Sequence, residues 1–173
     1  VLEKICNKVS KIIIRDFGEV EKLQVSKKGP GDFVTKTDKK VEKIIIEELS
    51  KARPGYGFIA EESGINESKS SEFNWIIDPI DGTSNFMHGI PHFAISIALE
   101  KNSEITCGVI FDPIKNEFFF AENGRGAYVN NRRIRVSSRQ NMQEIIGLYG
   151  CPPLDIVGNH KIFSQLKVAS NKI

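Results

Sequence analysis

Apolar residues recur every three to four positions at the start of the chain. Leu2, Ile5, Val9, Ile12, Ile13 and Phe17 fall on one helical face, with Lys4, Lys8, Lys11 and Arg15 on the other, which predicts an amphipathic helix. A basic amphipathic helix can rest on a membrane. A core-packed helix with a solvated basic face fits the modest charge of the whole chain better. A Lys/Gly/Pro loop, Lys27 to Gly31, follows. Thr35-x-x-Asp38 then resembles a capping box before Val41, Ile44, Ile45 and Leu49 on a second helix, which Pro54-Gly55 closes. Asp38 thus has two readings, a cap carboxylate and a functional acid.

Further on, the period shortens to two. Phe58-Ile59-Ala60 and Trp75-Ile76-Ile77 are short apolar runs of the kind buried strands use. From Pro91 the residues Phe93, Ile95, Ile97 and Leu99 alternate with Ala94, Ser96, Ala98 and Glu100. Ile105, Cys107, Val109 and Phe111 repeat the pattern, then Phe118 and Phe120, then Tyr128-Val129. Turn residues fall at Lys101–Ser103, Asp112–Asn116, Asn123-Gly124 and Asn130-Asn131, so these strands are expected to form an antiparallel meander. Two helices preceding such a sheet give a layered α+β domain with one helix layer on the sheet. Gly158 to Val168, with Ile162, Phe163 and Leu166, is expected to be a last helix opening a second domain.

The most specific chemistry lies in W-I-I-D-P-I-D-G-T-S-N-F, Trp75 to Phe86. Pro79 lacks an N–H and biases Asp78 to extended backbone, so the strand is expected to stop there. Asp81-Gly82 is a turn signal. Asp81 is also expected to cap a helix beginning at Thr83, Ser84 and Asn85. Such a junction gathers two acids, the Ile80 carbonyl and unpaired amides. Hard oxygen ligands suit Mg²⁺, and amides at a helix start suit a phosphate. Asp-Pro-Ile alone is equally a hairpin turn, and Asp112-Pro113-Ile114-Lys115-Asn116 reads as one. The second acid, the Gly-Thr-Ser tail and an upstream F-I-A-E-E-S segment, Phe58 to Ser63, separate the two cases. If both strands end on one edge, Glu61 joins Asp78 and Asp81. Three carboxylates within about 4 Å repel by roughly 1–4 kcal/mol per pair, which cations or protons must offset.

Composition narrows the classes. A chain of 173 residues with net charge +2 can bury a sizeable core but lacks the charge for bulk attraction to nucleic acid or membrane. Cys6, Cys107 and Cys151 are scattered, with neither disulfide nor zinc spacing, which points to a reducing cytoplasm. No signal-peptide pattern and no bilayer-length apolar run is present. His88 and His92 invite a zinc reading, but Gly89 and Pro91 break a helix between them, so they read as loop or interface residues. Arg132, Arg133, Arg135 and Arg139 could meet RNA phosphates; without interleaved aromatics they read first as a solvated hairpin. There is no P-loop, and no Cys or His lies in a nucleophile motif. Direct attack by water is therefore favoured over a phosphoenzyme.

G-D-F-V-T-K-T-D (Gly31–Asp38), the two acidic segments, G-V-I-F-D-P (Gly108–Pro113) and G-R-G-A-Y-V-N (Gly124–Asn130) follow one another along nearly the whole chain. Together they resemble the inositol monophosphatase family, the Mg²⁺-dependent, lithium-sensitive sugar phosphatases, and most of all its bacterial SuhB-type branch. The resemblance implies a layered α/β sandwich of the sugar-phosphatase type. It implies hydrolysis of myo-inositol 1-phosphate, or a similar small polyol or sugar phosphate, by a metal-activated water. It assigns Glu61, Asp78, the Ile80 carbonyl and Asp81 to the metal. Gly82 and Thr83 become phosphate-contacting backbone, with Asp81 beside them in the substrate site. Asp38 becomes the acid that pairs with the Thr83 hydroxyl and, with Glu61, orients the attacking water. Lys27, with Lys28 one position away, falls where the family often has a loop lysine near the metals. The resemblance also implies a homodimer and, for the SuhB-type branch, association with RNA polymerase or RNA. Family members continue into a W-D-x-A-A-G segment that carries a further metal-binding Asp, and nothing here matches it. The expectation is a metal-binding domain over 1–150 and, over 151–173, the start of a C-terminal α/β domain, the chain being a piece of a longer protein.

Overall fold

In the computed structural model the amphipathic start becomes helix α1, Leu2–Leu23. The description below covers residues 1–23, 30–66 and 72–141. Lys27, Cys151 and the helix expected over Gly158 to Val168 lie outside it. Residues Val1–Arg135 form one compact unit, and Val136–Ile173 cluster as a second.

Helix α2, Pro30–Ala52, starts five residues before Thr35. The capping-box reading is therefore wrong. Proline is well suited to a first helical position because its missing N–H is not needed there, and the helix begins at Pro30 instead. Asp38 consequently sits inside α2 and is almost fully buried.

Among the described residues eight strands follow, β1 (Gly57–Ala60), β2 (Gly64–Asn66), β3 (Phe73–Asp81), β4 (Ala94–Lys101), β5 (Glu104–Asp112), β6 (Glu117–Glu122), β7 (Gly126–Val129) and β8 (Arg132–Ile134), with the short helix α3 (Thr83–Met87) between β3 and β4. They form one sheet in the order β2-β1-β3-β4-β5-β6-β7-β8. The β3–β8 meander is antiparallel; the period-two pattern predicts its β4–β7 part, while β3 and β8 extend it on either side. The Asn130-Asn131 turn has φ of 46° and 65°, the left-handed pair that a tight hairpin needs. Among the described residues only β1 and β3 run parallel, with Phe58 opposite Trp75 and Ala60 opposite Ile77.

The core lies between the helix pair and one sheet face. Ile5, Val9, Ile13, Val41, Ile45 and Leu49 are buried against Trp75, Ile77, Ile95, Ile97, Val109 and Phe111. Each such aliphatic or phenyl side chain contributes roughly 1.5–3 kcal/mol on burial. At the end nearest the acids, Phe17 of α1 packs on Phe86 of α3 and on Phe93 before β4, with ring centroids 5.4 and 4.9 Å away. Phe86 and Phe93 also meet edge to face at 5.0 Å. This aromatic cluster ties α3 to the frame. Among the described residues no helix is long and apolar enough to cross a membrane.

Candidate metal and phosphate site

Parallel pairing of β1 and β3 places their carboxyl-terminal ends side by side. The Glu61 amide donates to the Ile77 carbonyl at 3.1 Å, which extends the ladder by one residue and brings Glu61 level with Asp78.

β3 does not stop at Pro79 as expected. It continues to Asp81, with a register shift between Asp78 and Asp81. A bulge absorbs the proline, since it frees one residue from the ladder. Oδ1 of Asp78 accepts the Ile80 amide at 3.1 Å, the local turn that Asp favours. Ile80 is buried and Asp81 faces solvent.

Asp81 is not the helix cap. That position belongs to Gly82, which has φ of 93° and no side-chain cap bond. A Cβ there would stand 2.9 Å from the His92 carbonyl oxygen, so the chain needs glycine for both its conformation and its space. The amides of Thr83, Ser84 and Asn85 have no backbone acceptor among the described residues.

The expected Asp38–Thr83 pair is not formed. The Thr83 hydroxyl donates to the Ile80 carbonyl at 3.0 Å, and Oδ1 of Asp38 is buried without a partner. A carbonyl oxygen has two lone pairs, so the Thr83 bond alone does not saturate the Ile80 carbonyl. His88 and His92 do not act together. The His88 ring donates from Nδ1 to the Ser84 carbonyl at 2.7 Å, while Asn85 donates to the His92 carbonyl at 2.7 Å.

No ion pair among the described residues includes Asp38, Glu61, Asp78 or Asp81. The Asp78 carboxyl is raised to about 7, first by burial, then by its hydrogen bond with Glu61 and the charges of Glu61 and Asp81. Asp38 is also raised to about 7, by burial first and then by Glu62, Glu61, Asp78 and Glu42. Asp112 is the contrast. Burial pushes it up, but the Lys115 amide and ammonium and the Ile114 amide outweigh that and hold it low.

Among the described residues, no three His, Cys, Asp or Glu side chains stand close enough to form a ready-made metal cage. Glu61, Asp78 and Asp81 lie at neighbouring strand ends, and Glu61 and Asp81 are exposed. A bare buried carboxylate oxygen, oxygen-only donors and excess negative charge nevertheless fit a hard divalent cation such as Mg²⁺.

Sequence reasoning missed Glu42. It is buried and lies four residues after Asp38, hence on the same face of α2. That spacing was the available signal. Arg132, Arg133, Arg135 and Arg139 are all exposed.

The profile of the inositol monophosphatase family matches residues 1–163. An inositol-1-monophosphatase of Mesorhizobium japonicum is 51% identical over 154 residues, which is 89% of this chain and 58% of that protein. A Nus factor SuhB of Xylella fastidiosa is 40% identical over 142 residues, 82% of this chain and 51% of the relative. The crystal structure of the extragenic suppressor protein SuhB from Bartonella henselae superposes with a TM-score of 0.82 at 45% identity, covering 97% of this chain and 64% of the other. The chain spans roughly half to two-thirds of the length of these relatives. A profile match over nearly all of the sequence, on the helix-and-sheet architecture described above, places this chain in the inositol monophosphatase family.

Proposed function

We propose that the protein to which this chain belongs is a Mg²⁺-dependent phosphomonoesterase, hydrolysing myo-inositol 1-phosphate or a similar small polyol or sugar phosphate. The observation that carries the reading is the placing of Glu61, Asp78 and Asp81 at neighbouring strand ends where, among the described residues, no ion pair offsets their charge. Inositol-1-monophosphatase relatives at 51% identity support it.

In this reading Glu61, Asp78, Asp81 and the Ile80 carbonyl hold Mg²⁺. When bound, Mg²⁺ activates water and neutralises the phosphate oxygens. The chain's own groups supply position. The backbone of Gly82 and Thr83 faces the phosphate, helped by the free amides of the first α3 turn. Gly82 keeps side-chain bulk out of that approach. The bulge at Pro79 keeps Asp78 and Asp81 on the same strand end, three residues apart. Asp38 takes up a proton at its bare Oδ1 near neutral pH, and Thr83 fixes the Ile80 carbonyl through its hydroxyl. Phosphate monoester hydrolysis is among the slowest uncatalysed reactions, so charge compensation and alignment carry most of the acceleration.

The test is phosphate release from myo-inositol 1-phosphate by the full-length protein with millimolar Mg²⁺. Turnover that needs Mg²⁺ and collapses in Asp78→Asn supports the reading. No release from any small monoester, or undiminished turnover in Asp78→Asn, sinks it.

A second reading rests on the Nus factor SuhB relatives and the exposed arginines from Arg132 to Arg139. It makes the protein a regulatory partner of RNA polymerase or RNA that keeps the phosphatase fold. Co-purification with either, lost on charge reversal of the arginines and kept in Asp78→Asn, distinguishes it. Homodimerisation and a cytoplasmic location belong to both readings and are checked by light scattering and cell fractionation.

A further inference from the structure

Glu42 has no place in the chemistry above, yet it is a carboxylate only 2% exposed. Buried charge is costly unless charge-assisted hydrogen bonds compensate it. Its two oxygens are spent on one turn. Oε2 accepts the Glu62 amide at 2.8 Å, and Oε1 accepts the Ser63 amide at 2.9 Å. The preceding amide, Glu61, is held from the other side by the Ile77 carbonyl. Three consecutive amides of the β1–β2 turn are therefore clamped, the first to β3 and the next two to α2.

Besides this clamp, the turn is closed at its base by the short antiparallel pairing of β1 with β2, Ala60 opposite Gly64. Glu61 and Ser63 are exposed, and β2 is a three-residue edge strand exposed throughout. A carboxylate is also the side chain suited to the task, because it offers two acceptors and no donor. Glutamine would turn an N–H₂ toward one of the two amides.

We infer that Glu42 is a positioning residue that sets the divalent-cation affinity of the site through Glu61; this rests on the proposed role of Glu61 as a metal ligand. Glu42 itself does not touch the ion or the substrate. It fixes the backbone on which the Glu61 carboxylate rides, as outer partners fix ligands at other metal sites.

Mg²⁺ titration calorimetry on the full-length protein tests this as a double-mutant cycle. Glu42→Gln is expected to weaken Mg²⁺ binding about 10–100-fold. In a Glu61→Gln background the same substitution should weaken it no further, because the two act as one unit. Equal losses in both backgrounds mean a general structural effect and overturn the inference. Unchanged affinity in Glu42→Gln, with wild type binding normally, overturns it while leaving the proposed function standing. A wild-type protein that takes up no Mg²⁺ overturns both. Hydrogen exchange of the wild-type protein gives a readout that does not depend on a variant folding. The Glu62 and Ser63 amides should exchange at least tenfold more slowly than in a free chain, and unprotected amides there remove the clamp.

Discussion

Asp78 and Asp112 make the same hydrogen bond: each Oδ1 accepts the amide two residues on, from Ile80 at 3.1 Å and from Ile114 at 2.9 Å. Both open an Asp-Pro-Ile sequence. Their environments then diverge at the fourth residue. Lys115 turns back on Asp112, Nζ to Oδ2 at 3.0 Å, whereas Asp81 adds a second negative charge beside Asp78. One turn is neutral and self-contained. The other is left in want of a cation.

Asp81→Lys should convert the second into the first. Lysine at that position can pair with Asp78 as Lys115 pairs with Asp112. We expect the metal-free protein to be stabilised by up to about 1 kcal/mol, the scale of an exposed ion pair, or ~2–4 °C in Tm. Mg²⁺ affinity should fall by more than the roughly 10–100-fold of an outer-partner change. Thermal melting in chelator and calorimetry read the two arms. A variant that is destabilised and still binds Mg²⁺ would refute the charge argument.

Much of this was legible beforehand. Period-three-to-four and period-two spacing placed α1 and the meander, because one-sided burial writes itself directly into the order of apolar residues. The acidic segment stands out in the sequence for a similar reason, since few structural needs explain Asp78, Asp81 and Gly82 together. What escaped was of a different kind. Pro79 lies inside β3 because a bulge tolerates it, and a bulge has no sequence period. Thr35-x-x-Asp38 looks the same ahead of a helix as within one. Glu42, between Val41 and Lys43, looks like any solvated charge until the β1–β2 turn is seen to donate to it. The parallel pairing of β1 with β3 could be stated only as a condition, because periodicity shows which face is buried and not which strand lies beside it.

The raised carboxyls give the metal-free protein an unusual pH dependence. Asp38 and Asp78 titrate near 7 in the folded state, against 3.8 for the free side chain. The folded state therefore binds more protons than the unfolded one between about pH 4 and 7. Their contribution is fully present below pH 4 and is lost as pH rises through 7. Groups held low, such as Asp112, work in the opposite sense but below this window. In chelator, Tm should fall from pH 5 to pH 8, and Mg²⁺ should raise it more at pH 8 than at pH 5. At pH 7 two half-protonated groups should release about one proton on metal binding. Calorimetry in buffers of different ionisation enthalpy counts it. A Tm that is flat or rising across pH 5–8 in chelator would contradict the shared negative field.

Gly82 offers a steric test. Alanine there must hold a left-handed φ of 93° and place its Cβ 2.9 Å from the His92 carbonyl oxygen. The conformation alone costs about 1–2 kcal/mol. Relief requires the His92–Phe93 backbone to move, and Phe93 is tied to Phe17 and Phe86. Gly82→Ala should thus lower stability by ~2 kcal/mol or more in urea unfolding and weaken inorganic phosphate binding in the presence of Mg²⁺. Wild-type stability in this variant would mean the β3–α3 junction is looser than its contacts imply.

Asp38→Asn sets stability against activity at one atom. The native carboxylate is buried with Oδ1 unpartnered, among the charges of Glu62, Glu61, Asp78 and Glu42. Asparagine keeps the shape, removes one negative charge and offers two N–H donors to those acids. Metal-free Asp38→Asn should melt above wild type at pH 8, where the native group is ionised. It should match wild type near pH 5, where the native group is already neutral. If Asp38 manages a proton in the reaction, turnover with saturating Mg²⁺ should drop by roughly 10²–10⁴. Stability and activity then move in opposite directions, as at sites where strain is retained for function. Melting curves at the two pH values and phosphate release on the same preparation decide it. A rise in Tm with full turnover would reduce Asp38 to a buried charge with no part in the chemistry. A fall in Tm at pH 8 would show that Oδ1 is already satisfied in solution.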